Sequence, residues 1–138
     1  MGVQTQSVAR GIVESLDTDG IVLRLPHTDY RLHLKLTVPA GQVTAGPGQR
    51  IAGTIEARAL RIHPAAGGGR FLEPIIGEPR IVAGAVLAVE KDRRRVLIDA
   101  AAPMWLTTEE DQDFGVIAAG GLVNCYVRSG AAFTPFPG

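Results

Sequence analysis

Three histidines, one cysteine, a few serines and a run of three arginines are the residues from which any chemistry would have to be built. On an extended chain His27, Asp29 and His33 project from one face, a spacing that can approach a metal ion. Arg31 and Lys35 alternate onto that same face, and two cations beside a divalent ion oppose its binding. A solvated polar strand face is therefore expected there, with no metal. His63 stands alone beside Pro64. Cys125 alternates with Val123 and Val127, the pattern of a small buried thiol. Ser7, Ser15 and Ser129 lie in no nucleophile-elbow motif, so they build no hydrolase triad with the histidines. Gly67-Gly68-Gly69-Arg70 lacks the Gly-Lys-Ser/Thr ending of a phosphate loop, and no helix signal follows it, so it reads as a linker. No catalytic residue emerges, and a non-enzymatic protein is expected.

Arg93, Arg94 and Arg95, with Lys91 just before them, form the one compact basic cluster. Glu90 and Asp92 dilute it, and it falls in a predicted hairpin turn. It reads either as a solvated turn or as a contact for phosphate or an acidic partner. Tyr30 and Trp105 are the candidates for stacking on nucleic-acid bases, but both lie in apolar strand patterns and are expected in the core.

The elements that would carry these residues are strands. Gly11 to Leu16, the turn Asp17-Thr18-Asp19-Gly20 and Ile21 to Leu25 form a predicted hairpin. Tyr30 to Leu36 alternates strictly, with Tyr30, Leu32, Leu34 and Leu36 on one side. Pro39 to Ala45 is a loop or a single helical turn. Gly46-Pro47-Gly48 breaks the chain before a strand from Arg50 to Ala57, and Leu60-Arg61-Ile62 is read as a short closing strand.

The second half replays this order. Gly84 to Val89 matches Gly11 to Leu16 at an offset of about 73 residues, the kind of self-similarity that marks an internal repeat. Val96-Leu97-Ile98 answers Val22-Leu23, and Gly120 to Val127 falls opposite Gly48 to Ile55, with Val123 over Ile51 and Val127 over Ile55. The copies diverge where Ala102 to Thr107 replaces the alternating third strand and Glu109-Glu110-Asp111-Gln112-Asp113 follows it. The expected fold is all-β: two tandem small OB-like five-stranded barrels from an internal duplication. The first spans 8–64, a Gly/Pro-rich linker spans 65–79, and the second barrel spans 80–136.

Arg10 to Leu16, Tyr30 to Leu34 and Pro47 to Ile62 resemble the TOBE and molybdate-binding MOP-type barrels. That resemblance covers about half of the chain and implies OB-like modules, found in tandem pairs that assemble into oligomers and hold molybdate or tungstate at interfaces. The family's Ser-Ala-Arg-Asn oxyanion run is replaced here by Ser7-Val8-Ala9-Arg10. The basic or hydroxyl contacts that an oxyanion would use near the barrel ends are then Ser7, Arg10, Arg50 and Arg58.

Composition limits the remaining readings. Of the 138 residues 46% are hydrophobic, enough for a core, and the formal net charge is zero. Residues 1–70 hold eight basic and five acidic side chains, a balance of +3, while residues 71–138 hold six and nine, a balance of −3. A neutral total argues against a general nucleic-acid binder, whose affinity rests on many phosphate contacts. Met1 to Arg10 is too polar for a signal peptide or membrane anchor, and one cysteine allows no internal disulfide, so the cytoplasm is the expected compartment. Three functions follow as expectations. The leading one is a binding or assembly module that mediates homo-oligomerisation or docks a protein partner. The alternatives are oxyanion binding at barrel interfaces, with no other cofactor, and weak single-stranded nucleic-acid binding through Arg93 to Arg95 and an OB-like face.

Overall fold

The computed structural model describes residues 5–137. Strands β1 (Ala9–Leu16), β2 (Gly20–Arg24) and β3 (Arg31–Leu36) form an antiparallel meander, and β4 (Arg50–Arg58) returns to pair with β1. The first hairpin turns as its sequence dictates: the Asp17 carboxylate accepts hydrogen bonds from the backbone N–H groups of Asp19 and Gly20 at 2.8 and 2.9 Å. A bulge between Val13 and Ser15 bends β1. Between β3 and β4 the chain makes one short 3-10 turn, Ala40–Gln42.

The strand that closes this first set comes from the other end of the chain. Strand β12 (Ala132–Pro135) lies between β3 and β4, parallel to the former and antiparallel to the latter, which completes a closed five-stranded barrel. The expected closing strand at 60–62 is not formed. The Gln112 side chain takes both backbone groups of Ile62: its carbonyl accepts from Ile62 N–H at 2.8 Å and its amide donates to Ile62 C=O at 3.1 Å. Instead the chain becomes extended just after this point, as β5 (His63–Ala65).

The 65–79 segment carries two short strands, β6 (Phe71–Glu73) and β7 (Ile76–Gly77), the latter running parallel beside β3. Strands β8 (Ile81–Glu90), β9 (Arg95–Asp99) and β10 (Pro103–Thr107) form a second meander, and β11 (Leu122–Tyr126) returns to β8. β6 and β5 flank β8 and β11 respectively. The far end of β4 runs parallel to β10, from Trp105 opposite Glu56 to Thr107 opposite Arg58, and Ala59 bridges to Val127 just beyond β11. Each half therefore takes a segment from the other.

Alternation decides what is buried. Ala9, Gly11 and Val13 on β1, Ile21 and Leu23 on β2, and Leu32 and Leu34 on β3 face inward. A single core cluster runs from these through Ile55, Ala57 and Ala59 to Val86, Ile98, Met104 and Phe133. It spans both halves, so burial of apolar surface couples them. No helix among the described residues is long and apolar enough to cross a membrane.

Candidate functional site

On the outward face of the closed barrel, cross-strand register gathers arginines that lie far apart in sequence. Arg50 on β4 stands opposite Ile12 on β1, Ile12 opposite Arg24 on β2, and Arg24 opposite Arg31 on β3. One row across four strands thus reads Arg50, Ile12, Arg24, Arg31. Arg10 pairs with Ala52, two positions along β4 from Arg50, so Arg10 and Arg50 are diagonal neighbours on this face. Both are exposed, and both line a pocket of about 230 Å³ with Gly11, Pro26, Ile51 and Ala52. Neither forms an ion pair with a described residue. Glu14 is the acid that serves the row, 3.4 Å from Arg24 and 3.5 Å from Arg31.

Of the four residues expected to contact an oxyanion, the fold brings Arg10 and Arg50 together and separates the other two. Ser7 is buried in the turn before β1. Arg58 lies at the far end of β4, where it shares Glu109 with Arg128: the carboxylate is 3.7 Å from Arg58 and 2.7 Å from Arg128. The Arg128 guanidinium holds the Glu109 carboxyl below the usual carboxylate range, and nearby Arg58 adds to this.

The three consecutive arginines diverge. Arg93 is exposed and 3.9 Å from Glu90. Arg94 adopts a left-handed backbone with φ 52°, donates to the Glu109 carbonyl at 2.5 Å and sits 5.5 Å from the Phe114 ring. Arg95 is paired with Glu90 at 2.6 Å and stacked over Trp105 at 3.8 Å. Trp105 is buried, and the half-buried Tyr30 accepts a hydrogen bond from Leu72 N–H through its hydroxyl.

Cys125 is buried, and desolvation pushes its thiol up to about 12. No group of three or more metal-ligating side chains occurs among the described residues. Arg70 of the glycine-rich stretch pairs with Asp99 at 3.3 Å.

A second surface lies on the other half. Ala59 and Val127 form an inward-facing bridge, and the next residues, Leu60 and Tyr126, are joined by a backbone hydrogen bond of 3.0 Å and point outward. They are 41% and 64% exposed, large for side chains of this kind. Arg58, Arg61, Arg128 and the acids Glu109, Glu110 and Asp111 line the hollow beside Leu60. Sequence alone does not single out this pair: alternation from Cys125 turns Tyr126 outward, but Leu60 falls in the expected strand at 60–62, and only the pairing after β4 sets it opposite Tyr126. Arg24 and Arg31 were missed for another reason: only the register of β1, β2 and β3 puts them in line with Arg50.

Comparison with protein-family models, with curated proteins and with solved structures finds no match for this chain.

Proposed function

We propose that the chain is a non-enzymatic binding and assembly module, built as two OB-like barrels by internal duplication, that docks a protein partner or a second copy of itself. The observation that carries the docking function is the directly opposed, solvent-facing pair Leu60 and Tyr126 beside charges of both signs. An apolar and aromatic centre with a charged rim is how protein interfaces concentrate binding energy. The duplication is supported by matching irregularities: the β1–β2 bulge begins at Val13 and the β8–β9 bulge at Val86. Arg50 opposite Ile12 likewise has its counterpart in Leu122 opposite Ala85.

Sedimentation velocity over a range of concentrations, with pull-down by the tagged full chain, tests this. Association or partner capture that Tyr126→Glu abolishes is the expected result. A strict monomer that captures nothing would count heavily against it.

A second function is favoured by the Arg10 and Arg50 pocket, where two exposed arginines line one hollow with no carboxylate among its lining residues. An oxyanion of the molybdate, tungstate, sulfate or phosphate type suits such a pair, in line with the TOBE and MOP-type resemblance. Calorimetry with these four anions decides it, and absence of heat for all of them, with no thermal shift, ends it.

A further inference from the structure

The row is longer than a single oxyanion needs. Adjacent strands are about 4.8 Å apart, so Arg50 and Arg24, two strands apart, have backbones about 10 Å from each other, and Arg31 extends the line by one more strand. Arg10 widens it at the Arg50 end. Four guanidinium groups are served by one carboxylate, Glu14, which sits between Arg24 and Arg31. Charge is thus concentrated along a line across the strands, and the row's neutral member, Ile12, leaves the space between Arg50 and Arg24 free of acid.

We propose that this row binds a linear oligophosphate, whose terminal group rests between Arg10 and Arg50 and whose following phosphates reach Arg24 and Arg31 by displacing Glu14. The proposal rests on the anion function of the Arg10 and Arg50 pocket and extends it to a ligand class. Arginine suits each phosphate because its planar fork donates two parallel hydrogen bonds. A nucleic-acid strand would need exposed aromatic rings for its bases. The outward residues of β1, β2 and β3 around the row include none; Tyr30 is held by Leu72, and Phe136, half-buried beside Ala52 at the Arg50 end, is a single ring that cannot stack successive bases along the row.

Calorimetry with inorganic tripolyphosphate, orthophosphate and a short oligothymidylate tests the proposal on the full chain. Tripolyphosphate is expected to bind at least about tenfold more tightly than orthophosphate, a difference of about 1.4 kcal/mol. Arg24→Gln with Arg31→Gln should remove that advantage and leave orthophosphate binding unchanged. Glu14→Gln, which frees both arginines, should tighten tripolyphosphate binding, a gain that misfolding cannot imitate. If tripolyphosphate binds no better than orthophosphate, or Glu14→Gln leaves it unchanged, the extended site is wrong while the anion pocket stands. If neither anion binds, both are wrong. Oligothymidylate binding as tightly as tripolyphosphate would overturn the choice of ligand.

Discussion

Phe133 occupies the space that Gly53 leaves by having no side chain. A Cβ on Gly53 would meet the Thr134 backbone carbonyl oxygen first and would lie 2.7 Å from the Phe133 Cζ, both closer than packed atoms approach. The ring is fully buried, and its strand is the one that closes the first barrel. A residue near the end of the chain is thereby fitted to a glycine in its first half, and barrel closure depends on both.

Phe133→Ala should cost about 3–5 kcal/mol, the range for emptying a large aromatic site. Gly53→Ala should cost about 1–3 kcal/mol by overpacking. Urea denaturation followed by Trp105 fluorescence measures both. Because part of the clash is with the ring, Gly53→Ala on a Phe133→Leu background should cost less than it does alone, while the part set by the Thr134 carbonyl persists. Equal costs in the two backgrounds would show that the Thr134 backbone, and not the ring, is what requires the glycine.

How much of this was legible in the sequence follows from how local each signal is. The hairpin through Asp17 and Gly20 was legible because its turn chemistry and alternation lie within one short stretch. The place of β12 was not, since Ala132 to Pro135 carries no mark of which sheet edge it will fill. Leu60 to Ile62 has the composition of a strand, yet a glutamine fifty positions later takes the hydrogen bonds of Ile62. Arg10 and Arg50 were legible as basic candidates, but their convergence depends on the β1–β4 register. Arg58, equally basic, is carried to the other half by the same strand.

Glu78 pins the crossover into β12. Its carboxylate accepts from the backbone N–H of Gly130 and from the Ser129 hydroxyl at 2.9 Å. The Gly130 hydrogen bond is the main reason that its carboxyl lies below the ordinary glutamate value; Ser129, Arg80 and Lys35 contribute, and partial burial opposes them. A lowered folded-state value means that the unfolded chain takes up the proton first as pH falls. The contribution is therefore complete above the unfolded glutamate pKa of about 4.3 and is lost as pH drops through the folded value. Urea midpoints from pH 7 down to pH 3 should fall less steeply in Glu78→Gln than in the parent. Parallel curves would mean that Glu78 does not hold the crossover.

Cys125 should be inert while the protein is folded. With its thiol pushed up to about 12 and its side chain buried between strands, almost no thiolate exists at neutral pH. A thiol reagent such as dithionitrobenzoate should label the native chain only at the rate of unfolding, and label it at once in strong denaturant. Rapid stoichiometric labelling of the native chain would contradict the buried placement.

Gln112 gives the sharpest test of how the halves are joined. It is buried within an otherwise acidic stretch, and it satisfies both backbone groups of Ile62 while donating also to the Asp113 carbonyl at 3.1 Å. Leucine at this position would keep most of the volume and leave the Ile62 N–H and C=O without partners in a buried site. Such orphaned groups cost about 1–3 kcal/mol. Glutamate would still accept from Ile62 N–H but would face its carbonyl with an oxygen and bury a charge, so Gln112→Glu should be the more damaging change at neutral pH and should recover in part as pH falls. Hydrogen exchange at the Ile62 amide reports the contact directly: protection in the parent and fast exchange in Gln112→Leu are expected. Unchanged protection would show that the segment after β4 is held by the Leu60 and Tyr126 ladder alone.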